Sequence, residues 1–445
     1  MSDSLIAAAS KQERLAAYNA NIAAADADPT LSPETGKTMD KVTLIRFGVG
    51  FLVFGLLWMS GLAIVSAVLL TKHLQNITGS NDVEGLVGVI NSCTAIASLV
   101  SNLMFGNFSD RCRARMGRRT PFILLGAVLG GVTLFLTGML TNPVLITIVY
   151  CACMFGLNAM IAPLVAMISD RIPMNVRGTM SAFFGAGQTC GAPIGTLIGS
   201  AFILNHFPGF ILAGVLMFLG GLVAVIIVPK EASADFLPKD EGTVKDVLMS
   251  FRPPKFSTAH DFYKAFAGRI CMLLSYQMIT VYQLLIFQKY IGLDDVAAGA
   301  AMATMSVITM VVSLGGSLVA GPISDLIGRR KVPVVAASVL FAIGMAMPWI
   351  MPTTMGMFLY AGIAGLGYGV YSSVDQALNV DVLPNKEEAG KDLGVLNLAT
   401  TLGQMLGPVF MSVITVTLGY AMAFPISIFF ALLGCVFIMM IKGVK

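Results

Sequence analysis

The sequence is divided into roughly twelve mostly apolar stretches, near 44–70, 86–108, 121–140, 144–168, 178–204, 209–228, 262–288, 296–320, 332–351, 355–380, 392–418 and 421–441. Each is long enough to cross a bilayer as a helix, which takes about 20 apolar residues. Lipid offers no partners to backbone N–H and C=O groups, so a spanning segment must be an α-helix or part of a closed barrel. The ten-residue alternation of barrel strands is absent. The pattern predicts an all-α membrane protein of twelve transmembrane helices. Composition agrees: 56% of the 445 residues are hydrophobic and 12% charged, with a mean hydropathy of +0.82. Residues 1–41 are polar and Ala-rich, with no charged-then-apolar leader; a short helix over 4–19 and disorder after it are expected. The seven cysteines imply no extracellular disulfide framework. Cys151 and Cys153, two apart on a helix, face different ways and imply no metal site.

Charge sets the orientation. Lys and Arg gather in cytoplasmic loops, and with the N-terminus inside, only Lys72 and Lys289 of the 28 basic residues fall in external loops. Both termini, residues 170–178, the 229–261 segment, 321–332 and 381–392 are then cytoplasmic, in a multi-pass protein of the plasma (inner) membrane. The net charge of +4 is thus a topology signal and calls for no nucleic-acid partner.

The densest charge lies in GNFSDRCRARMGRRTPFI, residues 106–123, between the second and third spans. A shortened copy, GPISDLIGRRKVP, follows at 321–333. Lys41 and Arg46 return as Lys264 and Arg269, Asp170 and Pro173 as Asp381 and Pro384, and Gln188 and Pro193 resemble Gln404 and Pro408. The chain reads as a duplication: a cytoplasmic N-terminal segment (1–41), a six-helix bundle (42–228), a cytoplasmic linker (229–261) and a second six-helix bundle (262–445). The pattern of Gly321, Asp325, Gly328, Arg329 and Arg330 after the second span of a six-span half resembles the signature loop of the major facilitator superfamily. The first-half version is four residues longer and is similar to the loop of sucrose transporters and related glycoside-pentoside-hexuronide symporters. The resemblance implies two pseudo-symmetric bundles moving solute by alternating access, a fold with no cofactor and taken as a monomer in the lipid bilayer.

Chemistry assigns roles to single residues. Asp110 ends one helix and Asp170 another, with Arg111, Arg118 and Arg119 nearby, so bidentate Arg–carboxylate bonds can tie these helices into a cytoplasmic gate. Asp325, Arg329, Arg330 and Asp381 would do the same in the second half. The resemblance implies that these networks break and form as the inside opens and closes. Spans three, six, nine and twelve hold no Asn, Gln, Asp, Glu, Lys, Arg or His. Polar side chains at membrane depth usually face a bundle interior or wet cavity, so the other eight spans should surround the path. Substrate-binding candidates are Trp58, Asn91, Asn158, Gln188, Tyr276, Thr280, Gln283, Tyr368, Tyr371, Asn397 and Gln404. Each has the alternative of serving only as helix-packing glue.

Asp375 is the one acidic residue placed well inside a span. Desolvation would let it take a proton near neutral pH, whereas pairing with Arg269 at similar depth would oppose that. The two are the proton-coupling candidates. All three histidines are assigned to loops, which leaves no buried imidazole relay. There is no Walker loop and no HExxH motif, so no ATP-driven or metalloprotease chemistry and no enzyme is expected. The primary reading is a secondary active transporter performing proton-coupled symport of a sugar or glycoside. The alternative is a proton-coupled efflux antiporter of amphipathic organic compounds or drugs.

Overall fold

The computed structural model describes residues 2–79, 83–238, 254, 259–327, 331–382 and 389–441. A helix α1, Ser2–Ala27, precedes twelve further helical spans. In the first half these are α2 (Lys41–Thr78, with a π-helical turn at Ile64–Leu69), α3 (Val83–Arg111), α4 (Thr120–Thr137), α5 (Pro143–Arg171), α6 (Arg177–Ala201) and α7 (His206–Ile227). The second half has α8 (His260–Thr280, continued by Gln283–Tyr290 after a 48° bend), α9 (Asp295–Ile327), α10 (Lys331–Ile350), α11 (Thr354–Asp381), α12 (Ala389–Thr417) and α13 (Tyr420–Met439). Among the described residues, nine helices are long and apolar enough to cross a membrane, ten when bent α8 counts as one span. Local chemistry places the ends. Asp40 caps α2 by accepting from the Thr43 N–H, and Asn142 caps α5 just before Pro143.

Helix pairing repeats from half to half. In the first, α2 packs on α6 and α7, α4 on α5 and α7, and α3 on α5; in the second, α8 packs on α12 and α13, α10 on α11 and α13, and α9 on α11. The halves meet chiefly through α3 against α12 and α6 against α9, a pair that the same exchange of halves interconverts. Helices α4, α7, α10 and α13, which hold no strongly polar residue beyond His206 and Lys331 at the starts of α7 and α10, take no part in either contact. Large side chains such as Val311, Val416 and Phe429 stay exposed, as expected where lipid is the solvent.

Small residues let backbones touch. Gly187, Gly191, Gly195 and Gly199 form one stripe of α6 against α2; a Cβ on Gly187 would lie 2.2 Å from the Leu52 carbonyl oxygen, and one on Gly195 2.3 Å from that of Ser60. Gly403 and Gly407 bring α12 onto α8 in the same way.

Two expectations are corrected. The N-terminal helix runs to Ala27, and the segment after it is ordered by contacts rather than disordered: Ser32 Oγ donates to the Arg171 carbonyl at 2.6 Å, and the Asn175 N–H donates to the Pro29 carbonyl at 3.1 Å. All three histidines are helical rather than in loops, His260 being the first residue of α8. His73 is buried, its Nδ1 3.1 Å from His206 Nε2 and its Nε2 2.7 Å from the Leu140 carbonyl oxygen. Helix α2 carries on past its π turn, which brings His73 against the start of α7.

Candidate functional site

The second half gathers most of its predicted residues on α8 and α11. Arg269 and Asp375, each buried, approach with Nε 3.5 Å from Oδ2. Helical periodicity puts Tyr276 and Thr280 on the Arg269 face of α8, and Tyr368 and Tyr371 on the Asp375 face of α11. The Tyr276 and Tyr368 rings stack with centroids 3.9 Å apart and planes within 7°, and Tyr276 also tilts against Phe341. The Thr280 hydroxyl donates to the Tyr276 carbonyl at 2.9 Å. Helix α8 breaks just after Thr280, so Gln283 leaves the straight stripe, yet it and Thr280 both approach the hydroxyl of buried Tyr360, a residue absent from the sequence candidates. The Tyr371 hydroxyl lies beside the Asp375 carboxylate without reaching hydrogen-bond geometry.

The first-half candidates do not assemble in this way. Asn158 bonds Ser98 Oγ at 3.0 Å, Asn102 Nδ2 at 3.1 Å and the Met154 carbonyl at 2.9 Å, fastening α5 to α3. Asn91 donates to the Val87 carbonyl of its own helix. Trp58 is buried, its indole N–H without a partner among the described residues. Gln188 is half-buried on α6, Gln404 is exposed on α12, and the Asn397 side chain lies outside the described residues. Arg46, the sequence mirror of Arg269, bonds the Ile227 carbonyl near the arginine-rich end instead of entering a pair at depth.

At the arginine-rich end, Arg119 is the hub. Its guanidinium lies 2.6 Å from Asp110 Oδ1 and 2.7 Å from Asp170 Oδ2 and donates to Ser109 Oγ at 2.6 Å, while Arg118 reaches Asp170 at 3.2 Å. Burial disfavours the Arg119 charge, but Asp170 and then Asp110 outweigh it and hold the group above its ordinary range. These contacts tie helices α3, α4 and α5, all within the first half. No local pattern pointed to Glu231, whose carboxylate caps α4 by accepting from the N–H groups of Arg118, Arg119 and Thr120. Nor did one indicate Arg171, which pairs with Glu34 at 2.6 Å and donates to the Pro229 and Lys230 carbonyls. Arg329 and Arg330 lie outside the described residues, as do the side chains of Asp325 and Asp381.

The opposite end joins the halves. Lys72 of α2 pairs with Asp295 of α9 at 2.5 Å, and Lys289 of α8 pairs with Glu84 of α3 at 2.6 Å. Glu84 Oε1 also accepts from the Tyr420 hydroxyl at 2.8 Å, its backbone carbonyl accepts from Tyr282, and Gln75 reaches Gln288 at 2.7 Å. The two lysines that stood apart in the charge count thus each bridge the halves. At the arginine-rich end, Asn102, Ser169, Arg177 and Ser181 line a cavity of about 590 Å³ between α3, α5 and α6.

The sequence pattern of the Major Facilitator Superfamily matches residues 46–316 and 265–444. The chain belongs to the major facilitator superfamily. Two curated proteins show partial likeness: MFS transporter asaE of Aspergillus flavus, 28% identical over 51% of this chain and 49% of its own length, and multidrug resistance protein 3 of Bacillus subtilis, 26% identical over 32% and 28%. The chain thus spans about half or less of the length of these curated relatives. Among solved structures, a bacterial homologue of the human lysosomal transporter Spinster, inward-facing and unoccupied, superposes with a TM-score of 0.70 at 14% identity, covering 91% of this chain and 97% of that one. The nucleoside transporter NupG gives 0.68 at 13% identity, covering 89% and 99%. At these identities the likeness is one of fold. The family and the apolar helices make this a multi-pass membrane protein with a transporter fold.

Proposed function

We propose that this facilitator moves amphipathic organic molecules, coupled to protons, by alternating access, with Arg269 and Asp375 as the coupling pair. The observation that carries the reading is the contrast between the candidate sites. The first-half amides a sugar would use, Asn91, Asn102 and Asn158, are spent on helix–helix and intrahelical bonds. The second-half site is walled by stacked tyrosines around a buried charge pair. Aromatic faces suit apolar bodies, and the partial likeness to a multidrug resistance protein points the same way. With the arginine-rich end taken as cytoplasmic, the bridges at the other end support an outside-closed, inside-open state. A sugar or glycoside is the second reading, favoured by the long arginine-rich loop and by the polar set of Thr280, Gln283 and Tyr360.

Proteoliposomes holding an imposed pH gradient test the choice, offered sucrose and fluorescent amphipaths that are anionic, neutral or cationic. Gradient-driven movement of an amphipath, lost in Asp375→Asn, is expected. Alkalinisation driven by sucrose, with no amphipath moved, contradicts the proposal in favour of the sugar.

A further inference from the structure

The two halves spend their repeat-related arginines differently. Arg269 enters a pair at depth, whereas exposed Arg46 donates its Nε to the Ile227 carbonyl at 3.0 Å and pairs with no carboxylate among the described residues. Arg46 lines a cavity of about 340 Å³ where the arginine-rich ends of α2, α4, α5 and α7 meet, a volume in the ordinary range of ligand sites. Exposed Lys230, just beyond α7, lines it too and has no acidic partner among the described residues. The other charges of the cavity are committed. Arg171 is held by Glu34 and by the Pro229 and Lys230 carbonyls. Glu231 accepts from the N–H groups of Arg118, Arg119 and Thr120 and from the Thr120 hydroxyl, so its charge is countered by the N-terminus of α4. Two cations without a counter-ion remain.

Most of the remaining lining is apolar: Ile123 of α4, Leu164 and Met167 of α5, Val225 and Ile226 of α7. Leu164 lies seven residues before Arg171 at the end of α5, about 10 Å along the span at 1.5 Å per residue. Large apolar side chains stay exposed at this corner, Ile226 itself and, beside Arg46 on α2, Val42 and Ile45, as expected where acyl chains are the solvent. A soluble anion gains nothing from such walls, whereas a lipid uses both the charge and the apolar surface.

We infer that this cavity is a binding site for an anionic phospholipid, its phosphate taken by Arg46 and Lys230 and its acyl chains lying against the apolar lining. Arginine offers phosphate a fork of N–H donors, and its terminal nitrogens do so here while Nε keeps the Ile227 carbonyl; lysine adds a point charge. A basic pocket between spans at the membrane surface is suited to a lipid headgroup. The bound phosphate links the start of α2 to residue 230, where the chain leaves the first half. The site is separate from the Arg269–Asp375 pair and independent of what the transporter carries.

Native mass spectrometry of the full-length protein, released from a non-ionic detergent, counts single bound lipids and tests the site. The probes are phosphatidylglycerol, phosphatidylcholine with the same acyl chains, and glycerol 3-phosphate as a headgroup without chains. The first phosphatidylglycerol should bind about tenfold or more tightly than phosphatidylcholine, and glycerol 3-phosphate at equal concentration should not displace it. Arg46→Gln/Lys230→Gln should weaken that first phosphatidylglycerol about 20-fold, the loss expected of two cations at the membrane surface, and leave phosphatidylcholine unchanged. Lys37→Gln/Arg115→Gln removes the same charge from exposed residues of the same end that lie outside the cavity, and should change binding less than about threefold. Should the Arg46/Lys230 variant unfold early, Lys230→Gln alone, at an exposed residue outside the helices, carries the test with a loss of about fivefold. Equal binding of the two lipids, equal loss in the two double variants, unchanged binding when the cavity cations are removed, or displacement of the lipid by glycerol 3-phosphate each overturns the inference.

Discussion

The two ends of the bundle use the same chemistry in opposite ways. At the arginine-rich end, Arg119, Asp110, Asp170 and Arg118 pair within the first half, braced by Glu231 and the N-terminal segment. At the other end, Lys72–Asp295 and Lys289–Glu84 run between halves. An ion pair inside one rigid body contributes to that body's stability whatever the bodies do. One between bodies exists in only one arrangement of them, so it biases a population. The first end should therefore answer to mutation in stability, and the second in conformation.

The largest effect is expected at Arg119. Arg119→Gln leaves Asp110 and Asp170 without their shared cation, Asp170 keeping Arg118 and Ser109 its bond to the Gly106 carbonyl; with Asp110 half-exposed, losing these charge-assisted bonds costs about 1.5–3 kcal/mol. A large fall in Tm in detergent checks it; an unchanged Tm would mean that the network is decorative. Next is Glu84→Gln, which weakens the bonds from Lys289 and Tyr420 but leaves each half intact. It should shift the opening equilibrium by roughly tenfold while moving Tm little. A cysteine placed at exposed Ser181, on the wall of the 590 Å³ cavity, should react with a bulky polar maleimide in the parent and become protected with Glu84→Gln. Glu231→Ala removes a cap from α4 and should cost about 1 kcal/mol, with Ser181 reactivity unchanged. Smallest is pH. The Ser233 hydrogen bond, and then Arg14, hold the Asp235 carboxyl below its usual range. A depressed acid contributes above its ordinary value, near 4, and that contribution is lost as pH falls through the depressed one. Proteolysis of α1 should thus be flat from pH 8 to 5 and rise only below about 4.

Much of the fold was legible because lipid restricts the choices. Apolar length marks the spans, and the all-helical architecture of the superfamily is what the structure has. The second-half site was legible in part because Arg269, Tyr276, Tyr368, Tyr371 and Asp375 obey helical periodicity on two elements. That periodicity works only where helices run straight, so the α8 bend displaced Gln283, and the continuation of α2 turned His73 from a loop residue into a buried one. Asn158 could be recognised as polar at depth, but not as satisfied, since its partners lie on another helix. The contacts at the ends were illegible for a simpler reason. Glu231 caps a helix more than a hundred residues earlier in the chain, and Glu84 meets Lys289 and Tyr420 from the other half. No local pattern encodes such meetings. Lys72 and Lys289 were the closest to a signal, as the two basic residues that broke the charge rule.

Alternating access requires the two ends to move in opposition, and spin-label distances measure that directly. One label pair spans the halves at the Lys72 end, on exposed Asn76 of α2 and Val296 of α9; the other spans them on exposed Ser181 of α6 and Gln404 of α12. Going from the parent to Glu84→Gln in lipid nanodiscs, the Asn76–Val296 population should shift to longer distances while the Ser181–Gln404 population shifts to shorter ones by the same fraction. Both distances lengthening together, or one changing while the other holds still, would contradict alternating access governed by the Glu84 bridge.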